Sequence, residues 1–331
     1  MTLNIYDIAK EAGVSITTVS RVLNNKENIS NKTKDKVEKV LKKYNYIPNA
    51  IARGLVTKSM KSIGIVTTNI TDMHHAKSAY IMEREFNKLG YSVMLCNTGA
   101  RTEESINYIK MLSERNIDGI ILMGSVFNNK DIQSSISAYL NHIPTVLQNG
   151  FLDMENTYSV LVDDSYGISM CVDHLFEKGH SDIVYVKDMD TYSAKQKKEG
   201  FLVGMNKNGL KLDDKSIINT QCGLDGGRNA VKKLINLGKK FTAIIFGEDV
   251  TAIGAIKELR DLDINVPKDV AIIGFNNSIL AECCYPELTS VDNKVETTSF
   301  LSVKLLSDLI EKKNVASNIL VRPELVIRKS T

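Results

Sequence analysis

The chain has 331 residues, of which 43% are hydrophobic and 24% charged, a composition typical of a globular protein with two or three domains. No apolar run reaches the roughly 20 residues needed to span a bilayer, and the N-terminus lacks a secretion signal, so we expect a cytoplasmic protein with no membrane partner. Residues 1–61 contain twelve basic and five acidic residues and sum to +7 in a chain of net charge +3, which favours a polyanionic partner for this segment, with a solvated basic helix face as the alternative.

The first two predicted helices are short and are separated by a tight turn. Apolar residues at positions 5, 8, 9 and 12 have helical spacing, and Gly13 ends this helix because glycine readily adopts the left-handed conformation of a C-cap. Ser15, followed by Thr18 three residues later, is an N-cap candidate for a second helix over about 16–24. Two helices joined by such a turn are typical of the helix-turn-helix motif. A third helix is predicted over about 31–44.

The second helix carries the residues that we expect to read DNA bases. In a helix-turn-helix, the N-terminal residues of this helix lie against base edges in the major groove. Ile16 and Thr17 occupy those positions, and Arg21 lies one turn further along the same side. Arginine donates two hydrogen bonds to guanine, and isoleucine offers an apolar surface to a thymine methyl group. Four polar residues are predicted to contact phosphates, which position a protein without specifying sequence: Tyr6, Ser15, Thr18 and Asn24.

After a short predicted helix at 49–55, which is too short to be stable alone, the sequence changes to alternating strands and helices. Such alternation predicts doubly wound parallel sheets. Strands are expected at 63–66, 93–96, 119–123, 145–148, 160–162, 183–186, 243–246 and 270–275. Helices are expected at 78–89, 103–115, 129–140, 166–178, 193–208, 225–237 and 249–261. Because about 270 residues are too many for one such sheet, we predict two α/β lobes that face a cleft, where open parallel sheets bind ligands.

Signatures of metals, cofactors and catalysis are missing from the sequence. The five cysteines, at positions 96, 171, 222, 283 and 284, include no CxxC pair and are predicted to be free and mostly buried. His74 and His75 are adjacent and do not make a metal site with Asp72 alone. The stretch 223–227 lacks the spacing of a phosphate loop and is interpreted as a turn with Asp225 as a helix N-cap. We therefore expect no cofactor and no enzymatic activity.

Several segments resemble the lac repressor/galactose repressor (LacI/GalR) family. Residues 5–15 read IYDIAKEAGVS, residues 18–24 read TVSRVLN and residues 46–55 read YIPNAIARGL, which is similar to the family's head and hinge and nearest its catabolite-control branch. The resemblance continues through the body at SIGIV (62–66), DGII (118–121), VPKD (266–269), IGF (273–275) and LTSV (288–291). It spans nearly the whole chain.

The resemblance implies an all-α helix-turn-helix head with a hinge helix, then a two-lobed doubly wound parallel-sheet body like that of periplasmic binding proteins. The head is expected at 1–48, the hinge and linker at 49–60 and the body at 61–331. The first lobe should comprise about 61–160 plus 292–320. The second should comprise about 161–291 plus 321–331, with chain crossings near 160, 291 and 321.

The resemblance also implies a ligand-responsive transcriptional repressor that binds a near-palindromic operator in double-stranded DNA as a homodimer. Paired hinge helices would enter the minor groove, where Leu55 matches the family's wedge leucine. No leucine heptads follow the last predicted strand, so we expect a dimer and not a tetramer. The alternative is a soluble small-molecule-binding protein or an enzyme on the same body. The full set of predicted DNA contacts is Tyr6, Ser15, Ile16, Thr17, Thr18, Arg21, Asn24, Thr33, Asn49 and Leu55.

The residues that match the family's effector site differ from the family pattern. Lys197 stands where arginine is usual, Glu248-Asp249 replaces Asn-Asp, and Asn276 replaces aspartate. Lysine lacks the planar fork of arginine. The predicted effector contacts are His74, Lys197, Cys222, Glu248, Asp249 and Asn276.

Three interpretations of this site remain open. The cleft binds a different small molecule, phosphorylated or amine-bearing. Alternatively, it is degenerate and a regulatory partner protein provides the control, as the catabolite-control resemblance allows. In the third interpretation it is a sugar site whose residues are misaligned by one position.

Overall fold

The computed structural model describes residues 4–23, 29–46 and 59–331. The chain divides into two compact units, residues 1–60 and 61–331. In the first unit, the three predicted head helices are present as α1 (Ile5–Ala12), α2 (Ile16–Leu23) and α3 (Asn31–Lys43). Helix α1 begins at a capping box in which Asn4 and Asp7 each accept a backbone hydrogen bond from the other, and it ends at Gly13 with φ 64°.

The head has a small core of its own, to which each helix contributes. Ile8, Val19 and Val37, one from each helix, are fully buried together. An exposed ion pair of 2.6 Å between Glu11 and Lys43 joins α1 to α3. Because the apolar stripes of all three helices face this core, their polar sides remain at the surface.

The second unit contains two parallel-sheet lobes, so the predicted fold class is confirmed. The strands are β1 (Ser62–Thr67), β2 (Ser92–Asn97), β3 (Gly119–Met123), β4 (Thr145–Gln148), β5 (Thr157–Val162), β6 (Ile183–Lys187), β7 (Ile217–Asn219), β8 (Ala243–Phe246), β9 (Ala271–Phe275), β10 (Thr289–Asp292), β11 (Asn318–Val321) and β12 (Glu324–Val326). The helices are α4 (Met73–Lys88), α5 (Thr102–Glu114), α6 (Lys130–Tyr139), α7 (Asp164–Glu177), α8 (Tyr192–Lys207), α9 (Leu224–Asn236), α10 (Asp249–Asp261), α11 (Ile279–Cys283) and α12 (Val295–Ile310). A short 3-10 helix spans Ser125–Phe127.

The sheet order creates a ligand-binding edge in each lobe. The first sheet has the order β11-β5-β4-β3-β1-β2 and the second β12-β10-β9-β8-β6-β7. All pairs are parallel except the edge pair of β10 with β12, which is antiparallel. The chain crosses between the sheets after β5, β10 and β11. In such sheets the strand order reverses beside β1 and β6, and ligands bind at the carboxyl ends of strands near that point.

The sequence pattern missed the shortest strands and the last helices, namely β7, β10, β11, β12, α11 and α12. Strands of three or four residues, such as β7 and β12, are too short to show an alternation. Helix α12 (Val295–Ile310) was missed although it packs on the first sheet. It mixes serine and threonine with leucine on its buried side, which obscures the helical stripe.

The glycine-rich stretch at 223–227 is explained by helix packing. Gly223 and not Asp225 is the N-cap of α9, which corrects the capping interpretation. A Cβ atom on Gly227 would lie 1.9 Å from the carbonyl oxygen of Thr251, and one on Gly254 would lie 2.1 Å from that of Leu224. These glycines therefore allow α9 and α10 to approach closely.

Two further findings concern the described residues alone. No helix among them is long and apolar enough to cross a membrane. All five cysteines are free, as expected, but only Cys96 and Cys171 are buried, so the expectation of mostly buried thiols was wrong.

Candidate DNA-binding face and ligand cleft

Helix α2 presents one polar face to the surface of the head. Val19 and Val22 point into the core, whereas Thr17 and Arg21 are exposed and Ile16 keeps 38% of its surface exposed. Tyr6, near the start of α1, is 66% exposed. Ile16 and Thr17 lie in the first turn of α2 and Arg21 lies in its last turn, and together they form an exposed surface that base edges could contact.

The small hydroxyl residues of the head form the N-termini of α2 and α3. Ser15 Oγ accepts the backbone N–H of Thr18 at 3.1 Å, and the two hydroxyls are 2.9 Å apart. Ser30 and Thr33 repeat this arrangement at the start of α3, with distances of 3.3 and 2.9 Å. The serine hydroxyls therefore accept hydrogen bonds from backbone N–H groups that would otherwise be unpaired at the helix N-termini. The exposed Ser15 can at the same time face a phosphate. The predicted DNA contacts Asn24, Asn49 and Leu55 lie outside the described residues.

The second unit contains a cleft of about 420 Å³ between the carboxyl ends of both sheets. Its walls include residues that directly follow parallel strands, among them Thr68 after β1, Asn149 after β4, Asp188 after β6 and Asn276 after β9. The volume lies in the range of small-molecule sites. The topology thus brings side chains from distant parts of the sequence together around one cavity.

Lys197 of α8 is nearly buried in the cleft wall, where its ammonium group has three neighbours within the protein. Its Nζ atom donates to the carbonyl oxygen of Gly247 at 2.8 Å and lies 3.8 Å from the centre of the Phe275 ring. Glu248 Oε1 is 3.7 Å away. Burial of a lysine is tolerated when a carbonyl, an aromatic face and a carboxyl surround it in this way.

A chain of side chains links the second lobe to the first across the cleft. Asn276 Nδ2 donates to Glu248 Oε2. Asn293 Nδ2 in turn donates to Asn276 Oδ1 at 2.7 Å and lies 3.3 Å from Nδ1 of His74. Burial, with positive charge from His75 and Lys197 nearby, lowers the pKa of His74 to about 4, so this ring is neutral at pH 7 and can accept that hydrogen bond at Nδ1.

Burial raises the pKa of several carboxyl groups around the cavity. For Glu248 it reaches about 8, despite the opposing effect of Lys197. Burial also raises the pKa of Asp164, which accepts from Ser193 at 2.5 Å, and of Asp188, which accepts from Thr251 at 2.7 Å. A cavity that stabilises the neutral forms of its acids favours a ligand that brings positive charge or hydrogen-bond donors.

Asp249 does not line the cavity, which corrects its assignment as an effector contact. It is 3% exposed, and its carboxylate accepts from the backbone and hydroxyl of Ser278 at 2.7 and 2.8 Å and from Ser290 at 2.5 Å. These bonds anchor the loop after β9, which holds Asn276 in the cleft. Asp249 is therefore a positioning residue behind the wall.

The other predicted effector residues do come together: His74, Lys197, Cys222, Glu248 and Asn276 all line the cavity. Although Cys222 as a residue is exposed, partial desolvation of its sulfur atom and nearby carboxyls raise the pKa of this thiol to about 12, so it is protonated. Although His74 and His75 have ring centres 5.8 Å apart, no group of three metal-binding side chains exists among the described residues.

The sequence-based prediction missed Asp164, Asp188, Asn149 and Asn293. The first three lie within two residues of the ends of predicted strands, so the rule that ligands lie at strand carboxyl ends could have found them. Asn293 follows β10, a strand that was not predicted. Its place in the cavity had no signal in the sequence.

Comparisons with known proteins agree with this architecture. Residues 4–49 match the family of bacterial regulatory proteins, lacI family, and residues 172–331 match the periplasmic binding protein-like domain. An HTH-type transcriptional regulator of Lachnoclostridium phytofermentans is 37% identical over 331 residues, 99% of both chains. Catabolite control protein A of Priestia megaterium is 30% identical over 334 residues, 100% of both chains. The lac repressor dimer bound to operator and the anti-inducer ONPF has the same fold, with a TM-score of 0.89 and 24% identity over 100% of this chain and 99% of that one.

The head, the cleft and the relatives lead to one conclusion. The relatives span the whole chain and are regulators, so the alternative of an enzyme or a separate binding protein is not favoured. The helix-turn-helix lies in the segment that matches the regulatory family. The chain belongs to the LacI family and is a DNA-binding transcriptional regulator.

Proposed function

We propose that this protein is a homodimeric repressor that binds a near-palindromic operator and responds to a small molecule in its cleft. The observation that carries the proposal is the combination, in one chain, of an exposed Ile16-Thr17-Arg21 face and a polar cavity of about 420 Å³. The lac repressor is a dimer on its operator, which supports the same assembly here. Because operators lie on DNA inside the cell, the proposal includes a cytoplasmic location.

In this proposal Ile16, Thr17 and Arg21 read bases, while Tyr6, Ser15, Thr18 and Thr33 contact the backbone of the DNA. Asn24, Asn49 and Leu55 are proposed contacts from the resemblance alone. Ligand binding changes the closure of the two lobes and thereby the geometry of the dimer. Because binding free energies are linked, ligand and operator must then affect each other reciprocally.

A small-molecule site is favoured over a degenerate cleft. The chain Glu248–Asn276–Asn293–His74 and the near-buried Lys197 form an ordered polar wall. Lys197, Glu248 and Asn276, the three substituted positions, face one cavity, which argues against misalignment by one residue.

Selection of bound sequences from a random DNA pool tests the operator part of the proposal. The expected result is an enriched inverted repeat, and light scattering of the complex should give two chains of 36.8 kDa per DNA site. Enrichment of no sequence, or of a single asymmetric half-site bound by one chain, would contradict it. Repeating the selection with cell extract and with dialysed extract shows whether a small effector changes the yield.

A further inference from the structure

The cleft is rich in hydrogen-bond acceptors and poor in free cations. Four carboxyl groups line it, those of Asp72, Asp164, Asp188 and Glu248. Lys197 is the one lysine among its described lining residues, which include no arginine. This balance disfavours phosphate or carboxylate groups on a ligand, because the described lining offers one lysine against four carboxyl groups whose ionised forms would repel an anion.

Lys197 is not free to bind an anionic ligand. Its ammonium group donates to Gly247 at 2.8 Å and rests 3.8 Å from the centre of the Phe275 ring. Only 7% of its side chain is exposed. Recruiting this lysine to a phosphate would leave a buried carbonyl without its donor, at a cost comparable to the contact formed.

Two residues of the lining carry buried amide oxygens that no donor in the described part of the chain satisfies, and a ligand with several donors reaches them when the amides turn toward the cavity. Asn293 is 3% exposed, and its Oδ1 has no hydrogen-bond partner among the described residues. The Oδ1 atom of Asn149, also in the lining, is buried without a partner in the same part of the chain. Both are amide oxygens, so each requires an N–H or O–H group. Asn149 follows β4 in the first lobe and Asn293 follows β10 at a chain crossing, and neither depends on the carboxyl cluster.

We infer that the cleft binds a small polyhydroxylated amine, with its ammonium group at Glu248 and its hydroxyl or amine hydrogens donated to Asn293 and Asn149. The inference rests on the proposed ligand-responsive function and names the ligand class. It explains why glutamate and asparagine occupy positions 248 and 276. Glutamate supplies the counter-charge for the ammonium, and Asn276 orients that carboxylate without adding a second charge.

The raised pKa of Glu248 is consistent with this role. In the empty cleft its pKa is about 8 because burial and the acids Asp188, Asp72 and Asp249 oppose ionisation, while Lys197 favours it. A bound ammonium stabilises the ionised form, so binding at pH 7 should release a proton. His74, with its lowered pKa, stays neutral over this range.

Isothermal titration of the full-length protein with matched pairs of ligands tests the inference. The pairs are D-glucosamine with D-glucose, D-galactosamine with D-galactose, and 1-amino-1-deoxy-D-glucitol with D-glucitol. At least one amine should bind about tenfold more tightly than its hydroxyl counterpart. D-glucosamine 6-phosphate should bind more weakly than D-glucosamine. Tighter binding of the neutral or phosphorylated members, or no saturable binding of any amine at about 10 mM, overturns the inference.

Substitutions test whether Glu248, Asp72 and Asn293 are the residues that recognise the ligand. Glu248→Gln should reduce the preference for the amine to about twofold or less, while Glu199→Gln, the same change at an exposed position of α8, should leave it unchanged. Asp72→Asn is the second variant, used if Glu248→Gln does not fold. Its side chain can still cap α4, and the change should lower the preference for the amine in part. Asn293→Ser should weaken both members of a pair alike. An amine preference that survives in Glu248→Gln contradicts the inference.

Operator binding, measured by fluorescence anisotropy on the same preparations, separates this inference from the proposed function. A protein that binds its operator but prefers no amine refutes the ligand class and leaves the regulator intact. A protein that binds an amine selectively, with operator affinity unchanged at saturation, supports the ligand class and refutes ligand control.

Discussion

Arg21 and Lys36 are both exposed cations of the head, yet their positions predict different contributions to DNA binding. Arg21 follows Ile16 and Thr17 on the outer face of α2, where a guanidinium can make a bidentate contact with guanine. Lys36 lies on α3, outside the proposed reading face, and a lysine there would contact a phosphate. Specificity and salt dependence distinguish the two roles.

Arg21→Ala should lower affinity for the cognate operator by about 1–3 kcal/mol and relax the preference at one base pair of each half-site. Lys36→Ala, the matched control, should weaken all sequences alike and reduce the salt slope of log K by about one. Titrations of operator and scrambled DNA at several salt concentrations measure both effects. An equal loss on operator and scrambled DNA for Arg21→Ala would show that this arginine contacts phosphate.

Glu248 also makes the stability of the body depend on pH. Its pKa rises from an ordinary 4.5 to about 8 because of burial, against the attraction of Lys197. The folded chain therefore binds this proton more tightly than the unfolded chain does. The corresponding stability is fully present below pH 4.5 and is lost as the pH rises toward 8. The pKa of Asp249 is raised to about 6, so this group changes stability with the same sign over a narrower pH range.

Glu248→Gln should remove most of this dependence without ligand. The quantity to compare is the free energy of unfolding of the variant minus that of the natural chain. This difference should increase from pH 5 to pH 8, by at most about 1.4 kcal/mol for each pH unit. Urea unfolding monitored by circular dichroism at several pH values measures this difference. Glu199→Gln is the control and should follow the natural chain throughout. A difference that does not change with pH would show that Glu248 is ionised in the folded protein.

At the scale of elements, close helix packing shapes the second lobe. Helices α9 and α10 meet at Gly227 and Gly254, where an added Cβ atom would overlap backbone carbonyl oxygens. Backbone atoms cannot move aside as side chains can. Gly167 of α7 differs, because the nearest atom to its Cβ would be a side-chain carbon of Pro323 at 3.1 Å.

Gly254→Ala should therefore destabilise the body by about 3 kcal/mol, near the upper end of overpacking effects. Gly167→Ala makes the same change inside another helix and should cost about 1 kcal/mol or less, since alanine favours helix and only side chains must adjust. Thermal unfolding of the two variants gives the comparison. Equal losses would mean that the backbone of α10 can shift away from α9.

At the scale of the whole molecule, regulation requires that ligand binding in the cleft and DNA binding by the head shift the same conformational equilibrium. The cleft is built from both lobes, with His74 from α4 of the first and Asn276 from the second. A ligand between them can favour one lobe closure over another. The size of the effect is limited by the difference in ligand affinity for the two closures.

Reciprocity is the expected signature of this coupling. If D-glucosamine changes operator affinity by some factor, saturating operator should change D-glucosamine affinity by the same factor, in a range of about 5- to 150-fold. Anisotropy of labelled operator and titration of ligand onto the protein–operator complex measure the two factors. Unequal factors would indicate a second ligand site or a change in assembly.

The sequence alone determined the class of the protein and the order of most elements up to β9. Residues 5–24 show both the helical periodicity of α1 and α2 and the motifs that resemble the family. Apolar runs such as 119–123 and 145–148 coincide with β3 and β4. These features depend on neighbours close in the chain, so local patterns suffice to predict them. The resemblance also located Lys197, Glu248 and Asn276, each of which reaches the cavity.

Only the tertiary structure decided which side chains share the cleft and what chemistry they offer. Asp249 is adjacent to Glu248 in sequence but lies behind the wall, because the first residue of α10 points toward Ser278 and Ser290. Asn293 enters the cavity from the chain crossing after β10, which the resemblance located near 291, but no local pattern revealed that its side chain lines the cleft. Burial, and with it the shifted pKa of Glu248 and the unpaired oxygen of Asn293, results from contacts between residues tens to hundreds of positions apart. Such long-range contacts leave no periodic trace in one sequence.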